Sequence, residues 1–266
     1  MIRSVLTFAV GALAAYILIC AMVYALQRSL IYFPQPRQPG IPASMLTLDS
    51  GAERITVTTR PRPGAAALVY FGGNAEDVAS SLPGLARAFP DHALYLMHYR
   101  GYGGSTGSPS EAGLFADAIA LFDRVRQEHE RIVVVGRSLG SGVAVHLASA
   151  RPAARLVLVT PYDSLQEIAA GRFPLIPVGW ILRDKFESGR HAVKVKAPTL
   201  VIVATQDEVI PRASTDRLFG RFGSGVATLG VLADAEHNFP DSHPEYIRLL
   251  RGETIPAREP AAAPPR

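Results

Sequence analysis

The five residues Gly136-Arg137-Ser138-Leu139-Gly140 restrict the fold of this chain more than any other stretch. The apolar run Ile132-Val133-Val134-Val135 precedes them, and Ser141-Gly142-Val143-Ala144-Val145-His146-Leu147 follows. The pattern predicts a strand, a sharp turn and a helix, with serine at the apex. Such a turn strains the serine backbone, so the residues two places to either side must be tiny, and glycine fills both places. The geometry lifts the hydroxyl off the sheet and sets it beside a helix N-terminus, where a developing oxyanion is stabilised. Ser138 is therefore a predicted nucleophile. A structural Ser-Gly turn would account for the glycines, but not for the strand and helix on either side of them.

The rest of the chain suits that turn. From about residue 44, short β-rich runs alternate with helical stretches, which predicts an α/β fold with a mostly parallel sheet and helices on both faces. Strands are expected at 55–59, 66–72, 93–99, 132–136, 156–160, 199–205 and 227–232. Several are nearly continuous in apolar residues, as strands covered on both faces should be. Ser108-Pro109-Ser110-Glu111 offers a capping box with proline at the first helical position. Leu114, Ala118, Leu121, Phe122 and Val125 then recur at helical spacing and read as core. With 266 residues, 48% of them hydrophobic, one sizeable domain is expected, over 46–252. The Pro/Ala-rich stretch 253–266 reads as a disordered tail.

The N-terminus is a separate matter. No charged residue occurs in 5–26, and roughly 22 helical residues at about 1.5 Å each would span a bilayer core. Arg3 in the 1–4 tip and Arg28 bracket this run, and Tyr24, Tyr32 and Phe33 are placed for the membrane interface beyond it. A cleaved signal peptide ending at Val23-Tyr24-Ala25 is the rival reading. The run exceeds the roughly 7–15 residue core of such peptides, which favours an uncleaved single-pass anchor. Arg3 faces Arg28 and Arg37 across the run, so basic residues do not set its orientation. A connector over 27–45 follows, stiffened by Pro34, Pro36, Pro39 and Pro42. The net charge of +4 is spread without stripes or interleaved aromatics, which argues against nucleic-acid binding and fits mild attraction to anionic lipid. The single cysteine, Cys20, allows no disulfide or cysteine zinc site within one chain.

A serine hydroxyl needs a base within hydrogen-bond reach, and the base needs an orienting acid. On sheets carrying such an elbow, the acid and then the histidine follow the serine in chain order. Asp207 stands just after the run Leu200 to Thr205, at the strand end where open α/β sheets place their sites. Its alternative role is an N-cap for the next helix, and Glu208 is the fallback acid. His237, in Ala235-Glu236-His237-Asn238, follows the last predicted strand and is the expected base, with His98 the second choice. His146 is expected to pack in a helix, and His243 to be structural. The oxyanion needs two backbone N–H groups. Leu139 should supply one, and the turn Gly72-Gly73-Asn74-Ala75 the other, through Asn74 or Gly73. No His/Asp/Glu set has metal-ligand spacing, and no cofactor or metal is expected.

Several blocks then occur in a telling order: Tyr70-Phe71-Gly72-Gly73-Asn74-Ala75-Glu76, Tyr99-Arg100-Gly101-Tyr102-Gly103-Gly104-Ser105, Gly136 to Gly140, Thr160-Pro161-Tyr162-Asp163-Ser164-Leu165, Asp207-Glu208-Val209-Ile210-Pro211 and Glu236-His237-Asn238. Together they resemble the Bem46-like group of the α/β-hydrolase superfamily, which includes the mammalian α/β-hydrolase domain proteins 13 and 17. The similarity covers about residues 24 to 250 and includes Gln27-Arg28-Ser29-Leu30-Ile31-Tyr32-Phe33-Pro34. The resemblance implies an α/β-hydrolase fold behind a membrane anchor, and a serine hydrolase with Ser138, Asp207 and His237 as its triad. Two positions depart from the group's pattern: Gly72 replaces a histidine, and His98 an aspartate.

The expected substrate is an ester or thioester, lipid-like or acylated. The alternatives are a serine peptidase or amidase on the same triad, cofactor-free peroxidase chemistry, and a membrane-tethered scaffold that does not catalyse. The interval 163–197 is where such folds insert a lid, here too short for a separate cap domain. Within it, Phe173 to Leu182 is strongly apolar and is read as lining an acyl pocket, touching the bilayer or packing on the core.

Overall fold

The computed structural model describes residues 2–38, 40, 43–238 and 240–253. Pro39 and Pro42 of the connector, and the tail from residue 254 onward, lie outside the described residues. The described residues form one eight-stranded sheet in the order β1-β2-β4-β3-β5-β6-β7-β8. The strands are β1 (Ser44–Ser50), β2 (Glu53–Arg60), β3 (Ala66–Phe71), β4 (Ala93–Met97), β5 (Arg131–Arg137), β6 (Arg155–Val159), β7 (Thr199–Gln206) and β8 (Ala227–Glu236). β2 pairs antiparallel with both β1 and β4, and every pairing from β4 to β8 is parallel.

β1 has no counterpart among the seven expected strands. It is an edge strand whose side chains stay mostly exposed, so it lacks the apolar run that marks the others. The connector is correspondingly shorter than 27–45, because helix α1 (Ile2–Ile31) enters it from one end and β1 from the other.

Helices α2 (Leu82–Ala88), α3 (Glu111–Arg126), α4 (Leu139–Ala150), α5 (Leu165–Arg172), α6 (Val178–Ile181), α7 (Ser188–Ala192), α8 (Arg212–Arg221) and α9 (Tyr246–Arg251) complete the fold. The period-2 alternation of β3 shows how the layers form. Ala67, Val69 and Phe71 pack with α3, α4, α7 and α8, while Leu68 and Tyr70 pack with α2 and α9. Both faces are therefore apolar, and each fully buried Leu or Val contributes about 1.5–3 kcal/mol relative to exposure.

Two local features differ from expectation. α3 is capped one serine later: the Ser110 side chain accepts from the Gly113 N–H, and Pro109 precedes the cap. Glu111 does not close a capping box. Its carboxylate accepts the backbone N–H groups of Lys185 (2.7 Å) and Phe186 (3.0 Å), and so anchors the stem of the 163–197 segment. Burial raises the pKa of that carboxyl.

α1 is long and apolar enough to cross a membrane. It runs past residue 26, and its last turns dock on the domain. Gln27 is buried: its Nε2 donates to the Ile181 carbonyl (3.0 Å), and its Oε1 accepts from the Arg183 N–H (2.6 Å). Arg28 pairs with Asp184 at 2.9 Å. Tyr32, expected at a membrane interface, is only 3% exposed, and its hydroxyl donates to Asp184 at 3.2 Å. A phenol that docks on a buried carboxylate has left the water boundary for the protein interior.

Candidate active site

Ser138 sits between β5 and α4 with φ 49° and ψ −119°, a conformation that L-residues avoid. Its N–H donates to the Val159 carbonyl on β6 at 2.9 Å, which holds the turn against the sheet. The flanking glycines are steric necessities. A Cβ on Gly140 would lie 2.1 Å from the Phe71 carbonyl oxygen, and one on Gly136 would lie 2.4 Å from the Gly140 carbonyl oxygen.

Sheet register brings the other two groups together. β7 and β8 pair in parallel, shift register between Ala204 and Gln206, and finish with Gln206 opposite Glu236. Asp234, with φ 59°, lies in this irregular stretch, and its N–H donates to the Thr205 hydroxyl at 2.8 Å. The next residues along the two strands are Asp207 and His237, which therefore emerge side by side. Asp207 Oδ2 lies 2.8 Å from His237 Nδ1, and His237 Nε2 lies 2.8 Å from Ser138 Oγ. A carboxylate only accepts, so Nδ1 carries the proton and Nε2 is the acceptor for the serine hydroxyl. His237 is 4% exposed. The second oxygen of Asp207 accepts from the N–H groups of Val209 (2.9 Å) and Ile210 (2.7 Å), which keeps the carboxylate pointed at the ring. Asp207 is not the cap of α8, whose N-cap is Pro211. Among the described residues, Glu208 accepts only the backbone N–H of His237, at 3.5 Å.

The two oxyanion candidates of the 72–75 turn differ in availability. The Gly73 N–H already donates to Glu76 Oε2 at 2.8 Å, which corrects its candidacy. Asn74 is held by its other groups: its carbonyl accepts from Phe33 N–H and the Tyr102 hydroxyl, and its side chain donates to the Ile31 carbonyl. Among the described residues, the backbone N–H groups of Asn74 and Leu139 have no protein acceptor.

The remaining histidines stand elsewhere. His98, the second-choice base, is buried with its Nε2 at 2.8 Å from the Thr58 hydroxyl, and does not line the Ser138 cavity. Burial pushes its imidazole down to about 4, against the pull of Asp77. His146 stacks on Phe115 with ring centroids 3.8 Å apart, and burial likewise lowers it to about 4. Among the described residues, no group of three His, Cys, Asp or Glu side chains is placed to hold a metal ion.

Two further features escaped the sequence reading. The first is a polar brace. Arg137 pairs with Glu76 at 2.9 Å and donates to the Asn238 carbonyl at 2.7 Å. Glu76 also accepts from Gly73 N–H and from the Tyr70 and Ser81 hydroxyls. The brace links the 72–75 turn, the elbow and the histidine loop. An arginine directly beside the predicted nucleophile was its only signal in the sequence. The second is the part that α1 plays in the cavity wall, beside the 173–182 segment already expected to line an acyl pocket. Ser138 and His237 open into a cavity of about 510 Å³, within the range of small-molecule sites. Val23, Leu30 and Ile31 of α1 line one side, and Ile176, Val178 and Ile181 another. A larger cleft of about 1030 Å³ lies along β8, between Arg155 and Gly252. It contains none of the groups of the triad, so the smaller cavity is the candidate site.

Known proteins agree with this architecture. Residues 67–194 match the family described as alpha/beta hydrolase fold. The uncharacterised protein MT2364 of Mycobacterium tuberculosis (strain CDC 1551 / Oshkosh) is 35% identical, over 84% of this chain and 84% of its own length. Protein bem46 of Schizosaccharomyces pombe is 28% identical, over 86% of this chain and 85% of its own. Among solved structures, the Pyrococcus furiosus esterase Pf2001 superposes with a TM-score of 0.63 at 14% identity, covering 82% of this chain and 95% of that one. With its sheet order, its strained serine elbow and its homologues, bem46 among them, this chain belongs to the α/β-hydrolase superfamily.

Proposed function

We propose that the chain is a serine hydrolase that cleaves an ester or thioester through an acyl-enzyme on Ser138. One observation carries this reading: an unbroken relay from Asp207 through His237 to Ser138, each link 2.8 Å long. His237 takes the hydroxyl proton as Ser138 Oγ attacks the substrate carbonyl. The amides of Asn74 and Leu139 receive the oxyanion, and the imidazolium is stabilised by Asp207. Collapse of the tetrahedral adduct expels the alcohol or thiol, which takes the proton from His237. A water then loses a proton to His237 and attacks the acyl carbonyl, and His237 returns that proton to Ser138 Oγ as the Oγ–acyl bond breaks and the acid leaves. The largely apolar cavity favours an acyl chain over a charged or peptide substrate.

In the same reading α1 is an uncleaved single-pass anchor that holds the domain at a lipid surface. Cleavage after Ala25 would remove Val23 from the cavity wall, along with the Tyr16 hydroxyl that donates to the Leu175 carbonyl at 2.8 Å. A fluorophosphonate probe should label the full chain and fail to label Ser138→Ala. Turnover of p-nitrophenyl esters and acyl thioesters should fall about 10⁴-fold or more in that variant. Unchanged turnover in Ser138→Ala would overturn the proposal.

A further inference from the structure

The segment Phe173 to Leu182 contains no charged residue and lies between Arg172 and Arg183. Three of its side chains project away from the fold: Phe173 is 54% exposed, Leu175 82% and Trp180 93%. Apolar surface of this kind marks a site of contact with something apolar. The question is what covers it.

Its attachment to α1 answers this. The Tyr16 hydroxyl donates to the Leu175 carbonyl at 2.8 Å, which places the segment alongside the middle of the charge-free run. Were the segment in water, only 5–15 of the charge-free run would remain for the bilayer, about 17 Å of helix at ~1.5 Å per residue. That is short of a hydrocarbon core of roughly 30 Å, whereas 5–26 gives about 33 Å. A span is possible only if the segment goes in with the helix.

Most of the backbone donors suit that medium. Two of the residues from Phe173 to Leu182 are prolines without an N–H. The N–H groups of Phe173, Ile176, Val178, Trp180, Ile181 and Leu182 are bonded within the segment and its stem, which leaves those of Leu175 and Gly179 without an acceptor among the described residues. The carbonyls of Leu175, Gly179 and Ile181 accept from Tyr16, Lys185 and Gln27. Unsatisfied backbone is what usually bars irregular chain from hydrocarbon. Basic side chains stand where the headgroups would lie: Arg28 and Arg183 flank the base of the assembly, and the Arg183 guanidinium sits 5.6 Å from the Tyr24 ring centroid.

We propose that Phe173 to Leu182 inserts into the bilayer together with α1, so that the Ser138 cavity opens into hydrocarbon and receives a membrane-resident acyl chain from the lipid phase. The wall supports this route: Val23 and Leu30 of α1 and Ile176 and Ile181 of the segment line the same cavity as Ser138. The substrate half of the inference rests on the serine-hydrolase reading, and the insertion half does not.

Trp180 is the only tryptophan of the chain and reports its own depth. In phosphatidylcholine vesicles, the full chain should show blue-shifted tryptophan emission that is lost to lipids brominated on the acyl chain and spared by aqueous iodide. Water-like emission quenched by iodide and not by brominated lipid overturns insertion. For the substrate route, Leu175 and Trp180 line no part of the cavity, so Leu175→Glu combined with Trp180→Glu is the variant. Its turnover of p-nitrophenyl palmitate held in vesicles should fall at least about tenfold, equivalent to ~1.4 kcal/mol, with turnover of p-nitrophenyl acetate in water retained. An equal effect on both esters, or on neither, overturns lateral entry. Wild-type protein that hydrolyses neither ester defeats the hydrolase reading instead, and the emission of Trp180 still decides insertion.

Discussion

The frame that holds the reactive groups and the wall that encloses the cavity are built on opposite physical terms. The frame is backbone packed on backbone: Gly136 and Gly140 leave no room for even a Cβ, and the ends of β7 and β8 deliver Asp207 and His237 by register. The wall is two distant segments joined by a few polar pins: Tyr16 to Leu175, Gln27 to Ile181 and Arg183, and Arg28 to Asp184. Close-packed backbone cannot shift without large cost. A few hydrogen bonds, each worth about 0.5–1.5 kcal/mol net, can let go. In the proposed function, the proton relay is thereby separated from the wall that would admit substrate.

The largest effect that would test this separation is expected at the brace. Glu76→Ala leaves Arg137 without its carboxylate in a mostly buried pair, which should cost about 3–5 kcal/mol in thermal or denaturant unfolding. Because Arg137 also holds the histidine loop, kcat should drop with KM nearly unchanged. A change in KM for long-chain esters alone would assign Glu76 to the wall and break the comparison. Next comes Gly140→Ala. Its methyl would meet the Phe71 carbonyl at 2.1 Å, so a loss of about 3 kcal/mol is expected by calorimetry.

Acid sharpens the picture of the frame. His98 is lowered from 6.5 to about 4 by burial, so the folded state resists its protonation while the unfolded chain takes the proton. The stability this contributes is present above pH 6.5 and is lost as pH falls toward 4, by up to about 3 kcal/mol. Melting temperatures measured across that window should decline, and His98→Asn should flatten part of the decline. An unchanged slope would show that His98 is not the group responsible. The smallest effect belongs to the wall. Asp184→Ala frees Arg28 and Tyr32 and should cost about 1–2 kcal/mol. Its signature should be a raised KM for long-chain esters with kcat retained. A fall in kcat would mean that frame and wall are coupled after all.

Legibility in the sequence followed the same divide. Ser138 was readable because a strained apex admits glycine alone at two fixed offsets, and Asp207 and His237 because each follows an apolar run that had to be a strand. The order of the blocks from Tyr70 to Asn238 carried the family. β1 was missed because an exposed edge strand buries too little to leave a pattern. The cap of α3 was misplaced by one serine because Glu111, though suitably spaced, is taken by Lys185 and Phe186 of a segment some 75 positions away. Gly73 and Asn74 could not be ranked firmly without knowing that Glu76 turns back onto the Gly73 amide.

Periodicity and steric exclusion are local, so the residues alone were enough to place the elbow, most strands, the long apolar helix and the three groups of the relay. Which surfaces meet is settled by the packing of the whole chain. Only the assembled fold put Gln27 against Ile181, buried Tyr32 on Asp184 and made α1 a wall of the cavity. Those partners stand more than 150 positions apart, and no short-range pattern encodes a contact that depends on where both ends of the chain come to rest.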